Sequence, residues 1–409
     1  MVNASDVPPT AASHAPTVAI VGGGIGGLTA ALALLRAGIR PHVYEQSPAF
    51  GEVGAGIQLA PNAVRLLDRL GFAEELRDRA VRPARAIEYR RWSDGRLLGF
   101  QSSDLEHEER YGASYVVIHR AHLLELLLAA LPKDLLHAGH RCVGVEQTEG
   151  GARVLFEEGT AVEADLVVAA DGLRSVVRES VASGHGPAFA GFCAYRALLP
   201  IERAPLGDAA RSVGIWLGPG RHFVHYPVAG GGLMNVVGLV AFDDWPHGFQ
   251  PQHVSAAEFA ERFAGWHPDV RATIDVLTDV TLWGLFAGTP LPSWTSGRVV
   301  LLGDVAHPML PFAAQGACQA IEDAVALGAC LGRAPGDIDG ALARYEHVRI
   351  PRASAVQAHA RENATAYNLP DGAEQQRRDA ELARGDGGAW LYGYDVEAAV
   401  AEAALAAGS

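Results

Sequence analysis

Thr17-Val18-Ala19-Ile20-Val21-Gly22-Gly23-Gly24-Ile25-Gly26-Gly27-Leu28 is the stretch on which the fold turns. Its first five residues are an apolar run of buried-strand length, and the glycines follow without a gap. Behind them Ile25, Leu28, Leu32 and Leu35 recur at helical spacing until Gly38, which caps the helix. Pro41-His42-Val43-Tyr44-Glu45 reads as the next strand, closing a βαβ unit within about thirty residues.

Each part of this unit has a physical task. Gly22 permits the tight turn, Gly24 lets a pyrophosphate approach the backbone, and Gly27 lets helix and strand pack closely. The helix N-terminus offers free N–H groups to phosphates. Glu45, closing the second strand, can accept hydrogen bonds from an unphosphorylated ribose, which fits FAD or NAD. The competing reading is a glycine-rich turn with no ligand. There is one such fingerprint; the glycines at 218–220 and 230–232 have no helix behind them.

Further along, Ala164 to Ala170 is a buried strand ending at Asp171-Gly172, and Arg298 to Leu302 is another ending at Gly303-Asp304. Helical patterns cover 61–80, a segment opened by Arg120, an insert near 254–276, and 315–366. Residues 84–118 and 187–290 are otherwise β-rich. The expectation is an α/β fold: a doubly wound, Rossmann-like dinucleotide domain (17–83, 115–183 and 296–350) interrupted by a β-rich substrate domain (84–114 and 184–295). A disordered lead (1–16) precedes it and C-terminal helices (351–409) follow.

Composition narrows the function. Of 409 residues, 49% are hydrophobic and 20% charged, enough apolar surface for a large core. A net charge of −14 argues against nucleic acid or an anionic membrane as the partner. Cys142, Cys193, Cys318 and Cys330 are scattered, so neither a disulfide framework nor a metal site is expected. The N-terminus lacks a signal-peptide layout and no apolar run reaches the ~18–20 residues of a membrane span, so a cytoplasmic protein is expected. His107-Glu108-Glu109-Arg110 lacks the spacing of a zinc-binding helix and reads as a solvated loop. Trp245, Trp266, Trp283 and Trp294 read as core or domain-seam residues. Arg196 and Arg221 could each grip a carboxylate or sit as surface charges.

Ala170-Asp171-Gly172-Leu173-Arg174-Ser175-Val176-Val177-Arg178 and Gly303-Asp304-Val305-Ala306-His307-Pro308-Met309-Leu310-Pro311 join the glycine fingerprint in the same order and spacing as a known set. Together they resemble the DG and GD motifs of the FAD-dependent aromatic hydroxylases, the single-component flavoprotein monooxygenases, over Val18 to Asp395. Gly54-Ala55-Gly56-Ile57-Gln58-Leu59-Ala60-Pro61-Asn62-Ala63, His222-Phe223-Val224-His225-Tyr226-Pro227-Val228 and Trp390-Leu391-Tyr392-Gly393-Tyr394-Asp395 resemble the salicylate, hydroxybenzoate and hydroxynicotinate hydroxylase branch.

The resemblance implies FAD, held non-covalently because no Cys or His stands in a flavin-linking context, and NADH or NADPH as reductant. Oxygen would be transferred from O₂ through a flavin C4a-hydroperoxide to an electron-rich ring. Asp304 would bind the ribitol, Arg120 the ribose or pyrophosphate, and the helix start at Gly316 and Ala317 the flavin pyrimidine. Gly56 would lie beside the cofactor, and Asp171 and Arg174 beside flavin and nicotinamide. Helix capping or a turn is the plainer role for Asp171 and Asp304.

His222 and Tyr226 are the candidate catalytic pair, since the hydroxynicotinate branch presents a His and a Tyr four apart to its ligand. On a strand, 222, 224 and 226 share one face and His225 takes the other; ordinary sheet packing is the alternative. Gln58, Trp216, Pro311 and Phe312 would complete the substrate pocket. Gln58 and Phe312 replace histidines of the hydroxynicotinate enzymes, which favours a benzenoid substrate. His307 reads as structural. The expected function is hydroxylation of a small phenolic acid of hydroxybenzoate or aminohydroxybenzoate type by a monomer or homodimer. The alternatives are oxygenation of a larger polycyclic or quinone-like metabolite, and FAD binding without turnover.

Overall fold

The computed structural model describes residues 15–51, 55–334, 336–385 and 388–407. Most of the lead expected over 1–16, and Gly54, lie outside them. Val18–Val21, buried along its whole length, sits inside a six-stranded sheet. Across that sheet the strands run Thr295–Ser296, Val299–Leu301, Leu166–Ala169, Val18–Val21, Pro41–Glu45 and Leu136–Ala138. All pairings are parallel except the short hairpin at 295–301. A parallel sheet covered on both faces demands continuous apolar strands, which is what the sequence supplies. Val21, Ala169 and Leu301 end side by side, so Gly22, Asp171 and Asp304 open onto one crevice at the strands' carboxyl ends.

The chain leaves Val21 through Gly22 at φ +109° and enters the helix Ile25–Arg36. A side chain at Gly27 would collide with the Gly22 carbonyl oxygen, so glycine there sets the helix-to-strand distance. The helix expected over 61–80 is broken. It runs Pro61–Leu67, widens through Asp68–Phe72 where Gly71 takes φ +105°, and resumes at Ala73–Arg79. The insert near 254–276 is two helices, Ala256–Arg262 capped by Ser255 and Pro268–Asp275. His107 to Arg110 is not a loop. It lies in the helix Leu105–Tyr111, capped by Asp104, with the His107 ring edge-on to Tyr111. The signal missed was the Asp104 cap three residues before His107.

An eight-stranded sheet covers the crevice, ordered Gln252–Val254, Val280–Ala287, Ala188–Pro200, Leu233–Ala241, Arg221–Val228, Gly214–Gly218, Ile87–Arg91 and Leu97–Gln101. One face looks into the crevice. The other carries a separate core built on Tyr195, Trp216, Phe223, Phe259 and Phe263.

The helices Gly316–Arg333 and Ile338–Ala366 are locked together by buried charge. Arg349 donates to Glu322 at 2.6 Å and to Asp323 at 2.7 Å, and Arg352 reaches Glu322 at 3.1 Å. Asp323 also accepts from His307 at 2.6 Å and from the Gly303 N–H at 2.9 Å. Arg352 donates onward to the carbonyls of Trp390 and Leu391, holding the C-terminal segment. Burial pushes the Glu322 carboxyl up, but Arg349 and Arg352 outweigh it and hold it below the usual carboxylate range. Its stabilisation is therefore complete above pH ~4.3 and lost as pH falls through the lower folded value. Glu322→Ala, which strands buried guanidinium charge, should cost roughly 3–5 kcal/mol in denaturant unfolding at neutral pH, against under about 0.5 kcal/mol for the exposed Glu74→Ala.

Candidate active site

A single cavity of about 920 Å³ runs from the fingerprint glycines to the inner face of the large sheet. At its nucleotide end, Glu45 accepts from the Gly23 N–H and the Ser47 N–H, both at 2.8 Å. Those bonds aim the carboxylate across the turn with lone pairs to spare. A side chain at Gly24 would point into open space, the volume a pyrophosphate needs. Asp171 accepts from the Val176 N–H at 3.1 Å through one oxygen, while the other is buried without a partner. Burial raises its pKa. Asp171 thus caps a turn and also lines the cavity. Asp304 stands exposed at the cavity wall beside Gly316. The N-terminus of Gly316–Arg333 points here because Ala314, at φ +51°, turns the chain into it. Arg120 and Ala317 line the same wall. An orphaned carboxylate oxygen, an open glycine cradle and a helix N-terminus opening onto the cavity suit a dinucleotide carrying a flavin.

At the other end the period of two decides what faces the cavity. His222, Val224 and Tyr226 line it from one strand, Val237 and Leu239 from the next, then Arg196, and Ile215 and Tyr89 on the far side. His225 takes the reverse face, as the alternation expects. Trp216 does too, and so drops out of the substrate set. It pairs with Phe223 in the outer core and packs against His267. The same alternation, applied to Ile215, would have excluded it. Gln58, Pro311 and Phe312 do line the cavity. Gly27 lies beneath the floor, in its packing role.

Tyr226 donates its hydroxyl to the Gly56 carbonyl at 2.7 Å, and the Gly56 N–H donates to Asn235 at 3.0 Å. A side chain at Gly56 would lie 2.6 Å from the Tyr226 ring, so only glycine allows this closeness. The strand bearing Tyr226 therefore touches the cofactor-side strand Gly56–Leu59 directly. Gln58 accepts from Tyr115 at 2.5 Å. Burial pushes the Tyr226 hydroxyl above the usual phenol range and drives His222 down to about 4, leaving both neutral at neutral pH. Phe312 stands edge-on to His222 with ring centroids 5.0 Å apart.

Arg196 lines the cavity with its Nε buried and without a partner, whereas Arg221 donates to backbone carbonyls outside it. Sequence left these two arginines equivalent; the strand register separates them. Trp283, read as a core or domain-seam residue, is exposed on the cavity wall. Asn363 and Tyr367, from the end of the long helix, also reach the cavity, and no local motif announces them.

Comparison with known proteins agrees with this geometry. Residues 15–360 match the model of the FAD binding domain family. The chain is 42% identical over 386 residues to 3-amino-4-hydroxybenzoate 2-monooxygenase PtnB3 of Streptomyces platensis, covering 94% of this chain and 97% of that protein. It is 36% identical to 6-hydroxynicotinate 3-monooxygenase of Pseudomonas fluorescens, with 94% and 96% covered. A salicylate hydroxylase substrate complex superimposes with a TM-score of 0.83 at 30% identity, over 95% of this chain and 98% of that one. A strand–glycine–helix crevice with Asp171 and Asp304 at its lip, continuous with a pocket under an antiparallel sheet, thus places the chain among the FAD-dependent aromatic hydroxylases, a flavoprotein monooxygenase family.

Proposed function

We propose that this protein hydroxylates a small phenolic aromatic acid, of hydroxybenzoate or aminohydroxybenzoate type, with NADH or NADPH as reductant. One oxygen atom of O₂ enters the ring, the other leaves as water, and the nicotinamide supplies the two electrons. The observation that carries this reading is Arg196, a guanidinium without an ion-pair partner among the described residues. It stands on the cavity wall that also carries Ile215, Val224, Val237, Leu239 and the neutral His222 and Tyr226. A desolvated cation calls for an anion. A ring carrying a carboxylate for Arg196 and a hydroxyl for His222 satisfies both the cation and the base.

Gly22, Gly24, Glu45, Arg120, Asp171, Asp304, Gly316 and Ala317 would hold the flavin, which when bound would supply the oxygen-activating redox chemistry. The protein's own groups prepare the ring. Tyr226 spends its proton on Gly56, which fixes its ring in the pocket wall and leaves the substrate's single hydroxyl proton to His222. His222, unprotonated at neutral pH, accepts the phenolic proton, and the resulting phenolate pushes electron density onto its ortho and para carbons. Apolar walls keep water from the reacting atoms. 3-Amino-4-hydroxybenzoate and salicylate head the panel that tests the assignment. Stimulated NAD(P)H oxidation with matching oxygenated product supports it, and no product from any phenolic acid defeats it.

Arg196→Gln should raise KM for the acid by about 10- to 150-fold, the range for one lost charge-assisted hydrogen bond, while leaving the corresponding amide unaffected. Equal losses for acid and amide would remove the anion-receptor role. Tyr226→Phe should lower product formed per NAD(P)H consumed and raise peroxide release, with flavin affinity weakened by no more than roughly 0.5–1.5 kcal/mol for the lost bond to Gly56. Wild-type coupling in that variant would reduce Tyr226 to sheet packing. Asp304→Ala, altering an exposed carboxylate, should weaken FAD retention measured by flavin fluorescence without lowering the stability of the apoprotein.

A further inference from the structure

We infer that Asn368 is a positioning residue that holds His222 in the Nδ1–H tautomer and so reserves the Nε2 lone pair for the substrate hydroxyl. The inference rests on, and deepens, the reading of His222 as proton acceptor. Asn368 lies just past the end of the helix Ile338–Ala366. Its amide nitrogen donates to the Ala364 carbonyl at 2.6 Å. A carbonyl can only accept, so the amide is fixed with NH₂ toward the helix and oxygen toward His222. That oxygen lies 3.2 Å from His222 Nδ1. An amide oxygen can only accept, so Nδ1 must carry the proton. A neutral imidazole has one N–H, and Nε2 is left as a bare acceptor on a residue that lines the cavity.

The backbone makes the arrangement rigid. The Gly220 N–H donates to the Asn368 carbonyl at 2.9 Å, pinning the turn that feeds the strand Arg221–Val228. Phe312 and Tyr367 stand edge-on to the imidazole at 5.0 and 5.5 Å, preventing a ring flip. Leu217 and Leu239 flank it on the neighbouring strands. Tyr367, whose hydroxyl meets that of Tyr89, is the titratable group packed on it; Arg196 and Tyr226 line the same cavity, and among the described residues no charged side chain is hydrogen-bonded to it. Without Asn368 a neutral histidine reverts toward the Nε2–H form favoured in water, which presents a donor where the substrate needs an acceptor.

Nitrogen-15 NMR of the histidine-labelled holoenzyme, with His222→Asn assigning the signal, reads the tautomer directly. The wild type should be Nδ1–H and Asn368→Leu should move toward Nε2–H. Hydroxylation of 3-amino-4-hydroxybenzoate should then fall at least about tenfold in kcat at unchanged FAD content. Asn368→Asp should keep the Nδ1–H form and move the acid limb of the pH–rate profile upward by about 1–3 units, because a carboxylate stabilises the imidazolium. A merely structural Asn368 would move neither tautomer nor limb. Nε2–H in the wild type, or the same tautomer in Asn368→Leu, overturns the inference whatever the activity does. A tautomer shift with unchanged turnover upholds Asn368 and instead retires His222 from the chemistry. Should Asn368→Leu not fold, the wild-type spectrum and the near-isosteric Asn368→Asp decide the matter.

Discussion

The buried carboxylate of Asp323 is the point on which the site depends. It takes the Gly303 N–H and the His307 imidazole on one oxygen and Arg349 on the other. One side chain thereby fixes the turn carrying Asp304, the helix whose N-terminus opens onto the cavity, and the long helix behind them. Buried charges are costly, and paired ones break even only when geometry is strict. That strictness is what a cofactor site needs: the parts cannot drift apart without exposing an uncompensated charge. Glu322 and Arg352 extend the same constraint to the carbonyls of Trp390 and Leu391, so the C-terminal segment is held by the network that shapes the cofactor wall.

The large sheet divides the molecule by side-chain alternation. His222, Val224 and Tyr226 face the cavity, while Phe223 and His225 face the outer core. A one-residue slip would present Phe223 and His225 to the ligand, so the site's chemistry is tied to the register with Leu233–Ala241. That register is secured beyond the sheet by Asn235 and Tyr226, which grip the two ends of the Gly56 peptide. Substrate strand and cofactor loop are one hydrogen-bonded unit, closer than a picture of two separate domains implies.

The polarity of the substrate end follows from burial. Desolvation keeps His222 and Tyr226 uncharged, leaving Arg196 as the formal charge on the sheet wall. In the proposed reaction, such a cation beside neutral hydrogen-bonding groups would bind an anion and leave a free base for its hydroxyl, a division of labour that two charged groups could not offer.

Much of this was legible in the chain. The run Thr17 to Leu28 specifies strand, turn and helix through local constraints: β-branched residues, glycines at positions that exclude a side chain, and apolar spacing. Asp171 and Asp304 follow buried strands, which placed them at strand ends, while the resemblance to the DG and GD motifs singled them out. Alternation placed His222, Tyr226 and His225 on their proper faces, and had it been applied to Ile215 it would have removed Trp216. Local pattern failed where a cap or a single glycine overrode it, at Asp104 and Gly71. What tertiary structure alone decided involves partners far apart in sequence. The isolation of Arg196, the grip of Tyr226 on Gly56, and Asn368 reaching His222 from the far end of a long helix each depend on side chains brought together by packing. A sequence carries the identity of such partners but not their distance, and it is distance that makes a hydrogen bond.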